Sequence, residues 1–250
     1  MSGKRLLLIS SSTVHGSGYL DHCAGEIRDF LHHGSRVAFA PFALHDRGAY
    51  AAKVEERFRG MGFSLLSLHS LSNPARVLDQ VDAVFVGGGN TFRLLNELYQ
   101  TRLLEPIRRS ASAGLPYIGS SAGSIVAGPS LKTTKDMPVV QPPSFEALGL
   151  VAFQISPHYL DPDPNTTHMG ETQEERILQF LEENEAPVAG LREASILRVE
   201  NGAVRLKGTA PARIFRRGQP PVEISPGQDL TSLLAEPVER ATLVSPGGSV

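Results

Sequence analysis

Short apolar runs that alternate with amphipathic segments constrain the fold of this chain more than any other feature of its sequence. Five runs have the length and aliphatic content of buried β-strands: Arg5–Ser10, Arg36–Ala40, Ser64–Leu68, Ala83–Val86 and Leu115–Gly119. Segments with helical periodicity lie between or beside them: 19–32, 49–61, 74–80, 91–100 and 103–113. This alternation predicts the α/β class, with a mostly parallel central sheet and helices on both faces.

The last third of the chain has a different pattern. Two short runs, Ser195–Glu200 and Ala203–Leu206, are separated by Asn201-Gly202. An Asn-Gly pair between two such runs is a strong hairpin signal. With a further strand predicted at Arg213–Arg216, we expect C-terminal antiparallel hairpin strands to be added to the α/β core.

Length and composition are those of an ordinary globular protein. The chain has 250 residues, of which 41% are hydrophobic and 20% charged, and this suits one large domain. We predict a single α/β domain over residues 1–236 and a flexible tail over 237–250, where glycine, serine and proline are frequent. The net charge of -2, from 24 basic and 26 acidic residues, gives no reason to expect a nucleic-acid partner.

Two features bear on the compartment. The apolar run at residues 6–9 is too short for a membrane span or a secretory signal. Cys23 is the single cysteine, so no intrachain disulfide can form. Since it lies in a predicted helix, we interpret Cys23 as a buried thiol and not as a nucleophile. We expect a cytoplasmic protein without a membrane partner.

The segment Gly119-Ser120-Ser121-Ala122-Gly123 follows a predicted strand and precedes a helix of small residues. It fits the G-x-S-x-G nucleophile elbow, with Ser121 as the nucleophile. A sharp strand-to-helix turn needs small neighbours, because strand and helix approach each other closely there. The alternative is a Gly/Ser-rich turn that carries no chemistry.

A second glycine cluster, Gly87-Gly88-Gly89, directly follows the predicted strand Ala83–Val86. Glycines allow backbone N–H groups to face a ligand. One donor here and one on Ala122 would form an oxyanion hole. Phosphate binding is the alternative, but neither G-x-x-x-x-G-K-[ST] nor a G-x-G-x-x-G with a suitably placed acidic residue is present.

A serine nucleophile needs a base and a group that orients the base. Among eight histidines, His158 follows an apolar run and a proline, which is typical of a strand end that opens into a functional loop. His168 is the alternative base. The orienting acid is either Asp136 or Glu193, and the residues alone leave both open.

These motifs together resemble the peptidase E family of α-aspartyl dipeptidases. The resemblance extends from the first strand to about Arg216 and rests on five segments: 87–92 (GGGNTF), 119–123 (GSSAG), 133–138 (TTKDMP), 157–158 (PH) and 170–172 (GET). It implies a fold akin to class I glutamine amidotransferases, with a serine in place of their elbow cysteine. It also implies the following roles: Ser121 as nucleophile, His158 as base, Glu193 as orienting acid with Asp136 as the alternative, and the N–H groups of Gly88 and Ala122 as oxyanion donors.

The resemblance further implies a small peptide substrate, a dipeptide with an N-terminal aspartate. An aspartate side chain needs a cation, because an unpaired carboxylate is costly to bury. The family pattern has an arginine where this chain has Gln173, and Arg176 lies three residues further on. The candidate substrate-binding residues are Gly89, Asn90, Gln173 and Arg176.

No metal or cofactor is expected, since neither H-E-x-x-H nor a Cys/His ligand spacing is present. We expect a monomer or a homodimer. Two other functions are compatible with the same motifs. One is a cyanophycinase-like or isoaspartyl peptidase. The other is a non-catalytic small-molecule-binding protein of the same fold.

Overall fold

A computed structural model describes residues 3–165, 167 and 169–235. The predicted tail at 237–250 and the alternative base His168 lie outside these described residues. The helices in chain order are α1 (Ala24–Phe30), α2 (Arg47–Gly60), α3 (Thr91–Gln100), α4 (Leu104–Ser112), α5 (Ala122–Ile125) and α6 (Gln173–Glu183). The strands are β1 (Leu6–Ile9), β2 (Arg36–Ala40), β3 (Ser64–Ser67), β4 (Ala83–Val86), β5 (Tyr117–Ser120), β6 (Gln154–Pro157), β7 (Val188–Leu191), β8 (Ser195–Glu200), β9 (Ala203–Gly208), β10 (Ala212–Phe215) and β11 (Val222–Ile224).

The main sheet has seven strands in the order β3-β2-β4-β5-β1-β8-β9. The first five run parallel to one another. β8 is antiparallel to β1, and β9 is antiparallel to β8. The predicted mixture of a parallel core and a C-terminal antiparallel hairpin is therefore confirmed.

Both faces of the main sheet are covered, as predicted. Successive residues of β1 alternate between two apolar clusters, because side chains along a strand point to opposite faces. Leu6 and Leu8 pack with residues of α3 and α4, whereas Leu7 and Ile9 pack with residues of α1 and α2. Strands buried on both faces explain why β1 has an uninterrupted apolar sequence.

Four strands form a second sheet, in the order β11-β10-β7-β6. This sheet is the main feature of the fold that the sequence does not predict. The strand predicted at 213–216 belongs to this sheet and not to the main one. β6 and β7 are parallel, and β10 and β11 extend the sheet in antiparallel fashion. One face packs on the main core through Ile155 and Ala189, and the other packs on Ile177 and Leu181 of α6.

Two local elements also differ from expectation. The segment predicted as a helix at 74–80 is a 3-10 helix, Pro74–Asp79. The first predicted helix, 19–32, is shorter, since residues before Ala24 form turns. Within the described part of the chain, no helix is both long enough and apolar enough to cross a bilayer.

Cys23 is fully buried beside α1, as predicted, and we expect its thiol to be unreactive in the folded protein. Burial raises the pKa of Cys23 to about 12, so almost no thiolate is available at neutral pH. Iodoacetamide at pH 8 should leave the native protein unmodified by intact mass and should alkylate one site after denaturation. Rapid alkylation of native protein would contradict this burial.

Candidate active site

Ser121 occupies the sharp turn between β5 and α5. Its backbone has φ 51° and ψ -109°, a left-handed φ that non-glycine residues rarely adopt. Its N–H donates to the carbonyl of Ile9 at 2.9 Å, which fixes the turn to the end of β1. Strain of this kind is tolerated where the surrounding structure holds it in place, and it is concentrated at functional sites.

The glycines on either side of Ser121 are required by space. A Cβ added to Gly123 would lie 2.0 Å from the carbonyl oxygen of Val86, and one added to Gly119 would lie 2.5 Å from that of Gly123. No side chain fits at such distances. The G-x-S-x-G pattern therefore reflects the close approach of α5 to the ends of β4 and β5.

His158 and Glu193 follow the ends of two neighbouring parallel strands in the second sheet. Pro157 of β6 is paired with Leu191 of β7, so the residues that come next leave the sheet at the same edge. His158 also has a positive φ, 50°. The second sheet thereby presents an imidazole and a carboxylate side by side.

The two sheets bring Ser121, His158 and Glu193 together in one chain of hydrogen bonds. The Oγ of Ser121 lies 2.9 Å from Nε2 of His158. Nδ1 of the same ring lies 3.1 Å from Oε1 of Glu193. In the tautomer with a proton on Nδ1, the ring donates to the carboxylate and accepts from the serine hydroxyl.

Asp136, the alternative acid, lies at the start of α3. Its carboxylate accepts hydrogen bonds from the N–H and the hydroxyl of Thr91, both at 2.6 Å. A carboxylate at a helix N-terminus satisfies a free N–H and interacts favourably with the helix dipole. Asp136 thus holds the 133–137 loop against α3.

Ser10, which belongs to none of the sequence motifs, connects the two sheets beside His158. It is fully buried directly after β1. Its hydroxyl accepts from the N–H of His158 at 3.0 Å and donates to the carbonyl of Leu191 at 2.8 Å. The one available signal was its position, a polar residue directly after a buried parallel strand.

The glycine cluster lies against the serine turn. A Cβ added to Gly88 would be 3.0 Å from the carbonyl oxygen of Ser120 and 3.1 Å from Cβ of Ser121. Burial raises the pKa of Tyr50, and a hydrogen bond from the Gly88 backbone to its hydroxyl opposes that rise. Gly89 has φ 135° and faces the carbonyl of Ala43.

Asn90, a candidate substrate-binding residue, caps α3. Its Oδ1 accepts from the N–H of Arg93 at 3.0 Å, and its Nδ2 donates to the carbonyl of Met137 at 2.8 Å. Both ends of the amide are therefore engaged by the protein.

A cavity lies between the 132–135 loop and α6, and it is lined by Gln173, Arg176 and Ser156, the residue of β6 two positions before His158. Nε2 of Gln173 donates to the hydroxyl of Ser156 at 2.8 Å, and Oε1 accepts from the N–H of Leu160 at 3.0 Å. Arg176 pairs with Glu171 at 3.6 Å. The cavity is thus polar on the side that faces β6, the strand that precedes His158.

A serine on a strained strand-to-helix turn, hydrogen-bonded to a histidine that a carboxylate contacts in turn, is the arrangement of the serine hydrolases. Comparison with known proteins identifies the family of serine hydrolases to which the chain belongs. The model of peptidase family S51 matches residues 6–207. The chain belongs to that family, which makes it a serine peptidase and confirms the resemblance to peptidase E.

Relatives match over nearly the whole chain. Peptidase E of Streptomyces coelicolor is 55% identical over 229 residues, 92% of this chain and 94% of the relative. A "probable alpha-aspartyl dipeptidase" of Drosophila melanogaster is 46% identical, over 93% of this chain and 98% of that protein.

Solved structures support the fold. A peptidase from an acI-B1 actinobacterium superposes with a TM-score of 0.67 at 17% identity, over 92% of this chain and 97% of its own. A Listeria monocytogenes protein assigned to peptidase E gives 0.64 at 24% identity, over 83% and 99%.

Proposed function

We propose that this chain is a serine dipeptidase that hydrolyses dipeptides with an N-terminal aspartate. The nucleophile is Ser121, the general base is His158, and the orienting acid is Glu193. The pair of hydrogen bonds that joins these three side chains, 2.9 Å and 3.1 Å long, carries the proposal. Membership of family S51 supports it independently.

The reaction follows from the protonation states of the three groups. His158 takes the hydroxyl proton of Ser121 as its oxygen attacks the peptide carbonyl, and Glu193 stabilises the imidazolium that forms. The imidazolium then protonates the leaving amine, which releases the second residue and leaves an acyl-enzyme. Water, deprotonated by the same imidazole, hydrolyses the ester and restores the serine.

The negative charge that develops on the carbonyl oxygen needs two backbone donors. We assign them to the N–H of Ala122, at the start of α5, and to the backbone of Gly88, which packs against Ser121.

Replacement of Gly88 by alanine is expected to lower kcat for Asp-Leu by several-fold, because Ser120 and Ser121 must move by a few tenths of an ångström and the rate depends steeply on the placement of the reacting groups. The new methyl group would press on Ser120 and on Cβ of Ser121. Gly25→Ala is the matched control, since this exposed helical glycine has open space around it. Full activity of Gly88→Ala would contradict the assigned packing.

Substrate contacts are assigned to both sides of the site. Gln173 and Arg176 line the cavity between the 132–135 loop and α6. Gly89 and Asn90 adjoin the oxyanion donor, and because the amide of Asn90 is engaged, we assign their contribution to the backbone. We also propose a cytoplasmic location and a monomeric or homodimeric state, for which the lone buried cysteine and ordinary charge are the available support.

A dipeptide panel tests the function. Asp-Leu, Glu-Leu, Asn-Leu, Ala-Leu and the isoaspartyl analogue of Asp-Leu are incubated with the wild type and with Ser121→Ala. We expect the highest kcat/KM for Asp-Leu and no turnover by the variant. Hydrolysis confined to the isoaspartyl dipeptide would overturn the proposed substrate, and turnover that survives Ser121→Ala would overturn the mechanism.

A further inference from the structure

Lys135 projects towards the cavity between the 132–135 loop and α6 without a carboxylate partner. Its ammonium donates to the carbonyl of His158 at 2.9 Å and to Oε1 of Gln173 at 3.3 Å. Among the described residues it forms no ion pair. Since an ammonium has three donors, these two bonds leave one for a ligand.

Two arginines around the site are already paired with carboxylates. Arg176 lies 3.6 Å from a carboxylate oxygen of Glu171. Arg192, which directly precedes Glu193 in sequence, binds Asp161 at 2.7 Å. Lys135 is therefore better placed than either arginine to neutralise a carboxylate that arrives with the substrate.

The contact between Lys135 and Gln173 is the reason to consider this lysine as the cation that binds a substrate carboxylate. Position 173 is where the resemblance to peptidase E implies an arginine, and a glutamine cannot neutralise a carboxylate. In this chain the amide of Gln173 accepts a hydrogen bond from an ammonium on the opposite wall of the cavity. A positive charge therefore still lies beside position 173, but Lys135 of the 132–135 loop supplies it and not a residue of α6.

The electrostatic environment of Lys135 favours an anionic ligand. Partial burial lowers the pKa of its ammonium, Arg176 lowers it further, and Asp136 and Glu193 oppose the change. A carboxylate bound beside the ammonium would replace lost hydration with a charge-assisted hydrogen bond.

We propose that Lys135 is the specificity-determining residue of this site and binds the side-chain carboxylate of the substrate's N-terminal residue. This inference rests on the proposed function. Asparagine has the shape of aspartate but no charge, so Asn-Leu is the substrate that isolates the contribution of the lysine.

The test compares kcat/KM for Asp-Leu and Asn-Leu in the wild type and in Lys135→Gln. Loss of the cation is expected to lower the value for Asp-Leu by roughly 10-fold, the lower end for a hydrogen bond between charged groups, because Lys135 is exposed. The value for Asn-Leu should change little. Lys207→Gln is the control for loss of a lysine ammonium, because Lys207 lies on β9 of the main sheet and pairs with Glu26 at 3.6 Å.

An exchange variant excludes a merely structural effect. Lys135→Gln combined with Gln173→Lys keeps the net charge and the possibility of a hydrogen bond across the cavity, and it should restore most of the preference for Asp-Leu. An equal fall for both dipeptides in Lys135→Gln would overturn the proposal, since Lys135 would then act through His158. A loss that is seen with Asp-Leu but disappears with Asp-Leu amide would also overturn the proposal, because Lys135 would then bind the C-terminal carboxylate of the substrate.

Binding measurements separate this inference from the proposed function. In a Ser121→Ala background, calorimetry should show that Lys135→Gln weakens binding of Asp-Leu relative to Asn-Leu, whichever group performs the chemistry. Hydrolysis by Ser121→Ala together with such weakening would overturn the mechanism and support the role of Lys135. Unchanged relative binding would overturn that role even if the dipeptidase activity is established.

Discussion

Replacement of Ser121 by alanine is expected to lower kcat for Asp-Leu by about 10⁴-fold or more, the loss typical of a serine nucleophile. The physical reason is that Ser121 supplies the hydroxyl that lies 2.9 Å from Nε2 of His158. The double variant Ser121→Ala/His158→Ala should be no less active than either single variant, because the two groups act as one unit. Steady-state kinetics on the three variants measure this non-additivity.

The neighbouring serine provides a matched control. Ser120 is fully buried, and its hydroxyl has no hydrogen-bond partner among the described residues. Ser120→Ala removes an unsatisfied buried group, which is close to neutral or stabilising, and should retain the wild-type kcat. Losses of equal size at both positions would mean that the turn itself, and not the hydroxyl of Ser121, is what activity requires.

Replacement of Glu193 by glutamine is expected to lower kcat by roughly 10²–10⁴-fold. An amide at this position no longer stabilises the imidazolium and can select the wrong tautomer of His158. The lower end of the range is expected because the side chain of Glu193 is 46% exposed, so water supplies part of the lost interaction. The variant should fold normally, and kcat for Asp-Leu is the measurement.

Asp136→Asn is the comparison that distinguishes the two candidate acids. The carboxylate of Asp136 accepts two hydrogen bonds from Thr91 at the start of α3. Its loss should reduce the free energy of unfolding by about 1 kcal/mol, the value of a helix cap, with a small effect on kcat. A lower Tm with preserved kcat is the expected result. The reverse pattern, in which Asp136→Asn abolishes turnover and Glu193→Gln does not, would exchange their roles.

Ser10 belongs to the candidate site although it lies outside every motif recognised in the sequence. The two glycines around Ser121 and the proline before His158 can be recognised from the sequence. Each shapes the backbone next to it, so each forms part of a short motif. The hydroxyl of Ser10, directly after β1, instead contacts the backbone of His158 and Leu191 at the ends of β6 and β7, 148 and 181 residues away in sequence. Such contacts leave no periodicity that a single sequence can reveal.

The second sheet was missed for a related reason. The hairpin at 195–208 was predicted because an Asn-Gly turn pairs strands that are adjacent in sequence. β6 and β7 pair in parallel across α6, and β10 joins β7 instead of β9. Local propensity indicates that a strand forms but not which edge it joins, since that choice depends on the apolar area buried by the whole assembly.

The sequence by itself determined the α/β class, the first five strands, the elbow that carries Ser121 and, through its family motifs, the identity as a serine peptidase. These follow from short-range chemistry: apolar period, turn geometry and the space that glycine leaves. The tertiary structure alone decided that His158 and Glu193 meet Ser121 at adjoining sheet edges. It also decided that Asp136 caps a helix and that Lys135 reaches the cavity beside Gln173. Each of these depends on distances between distant segments, which packing of the two sheets fixes and local sequence does not encode.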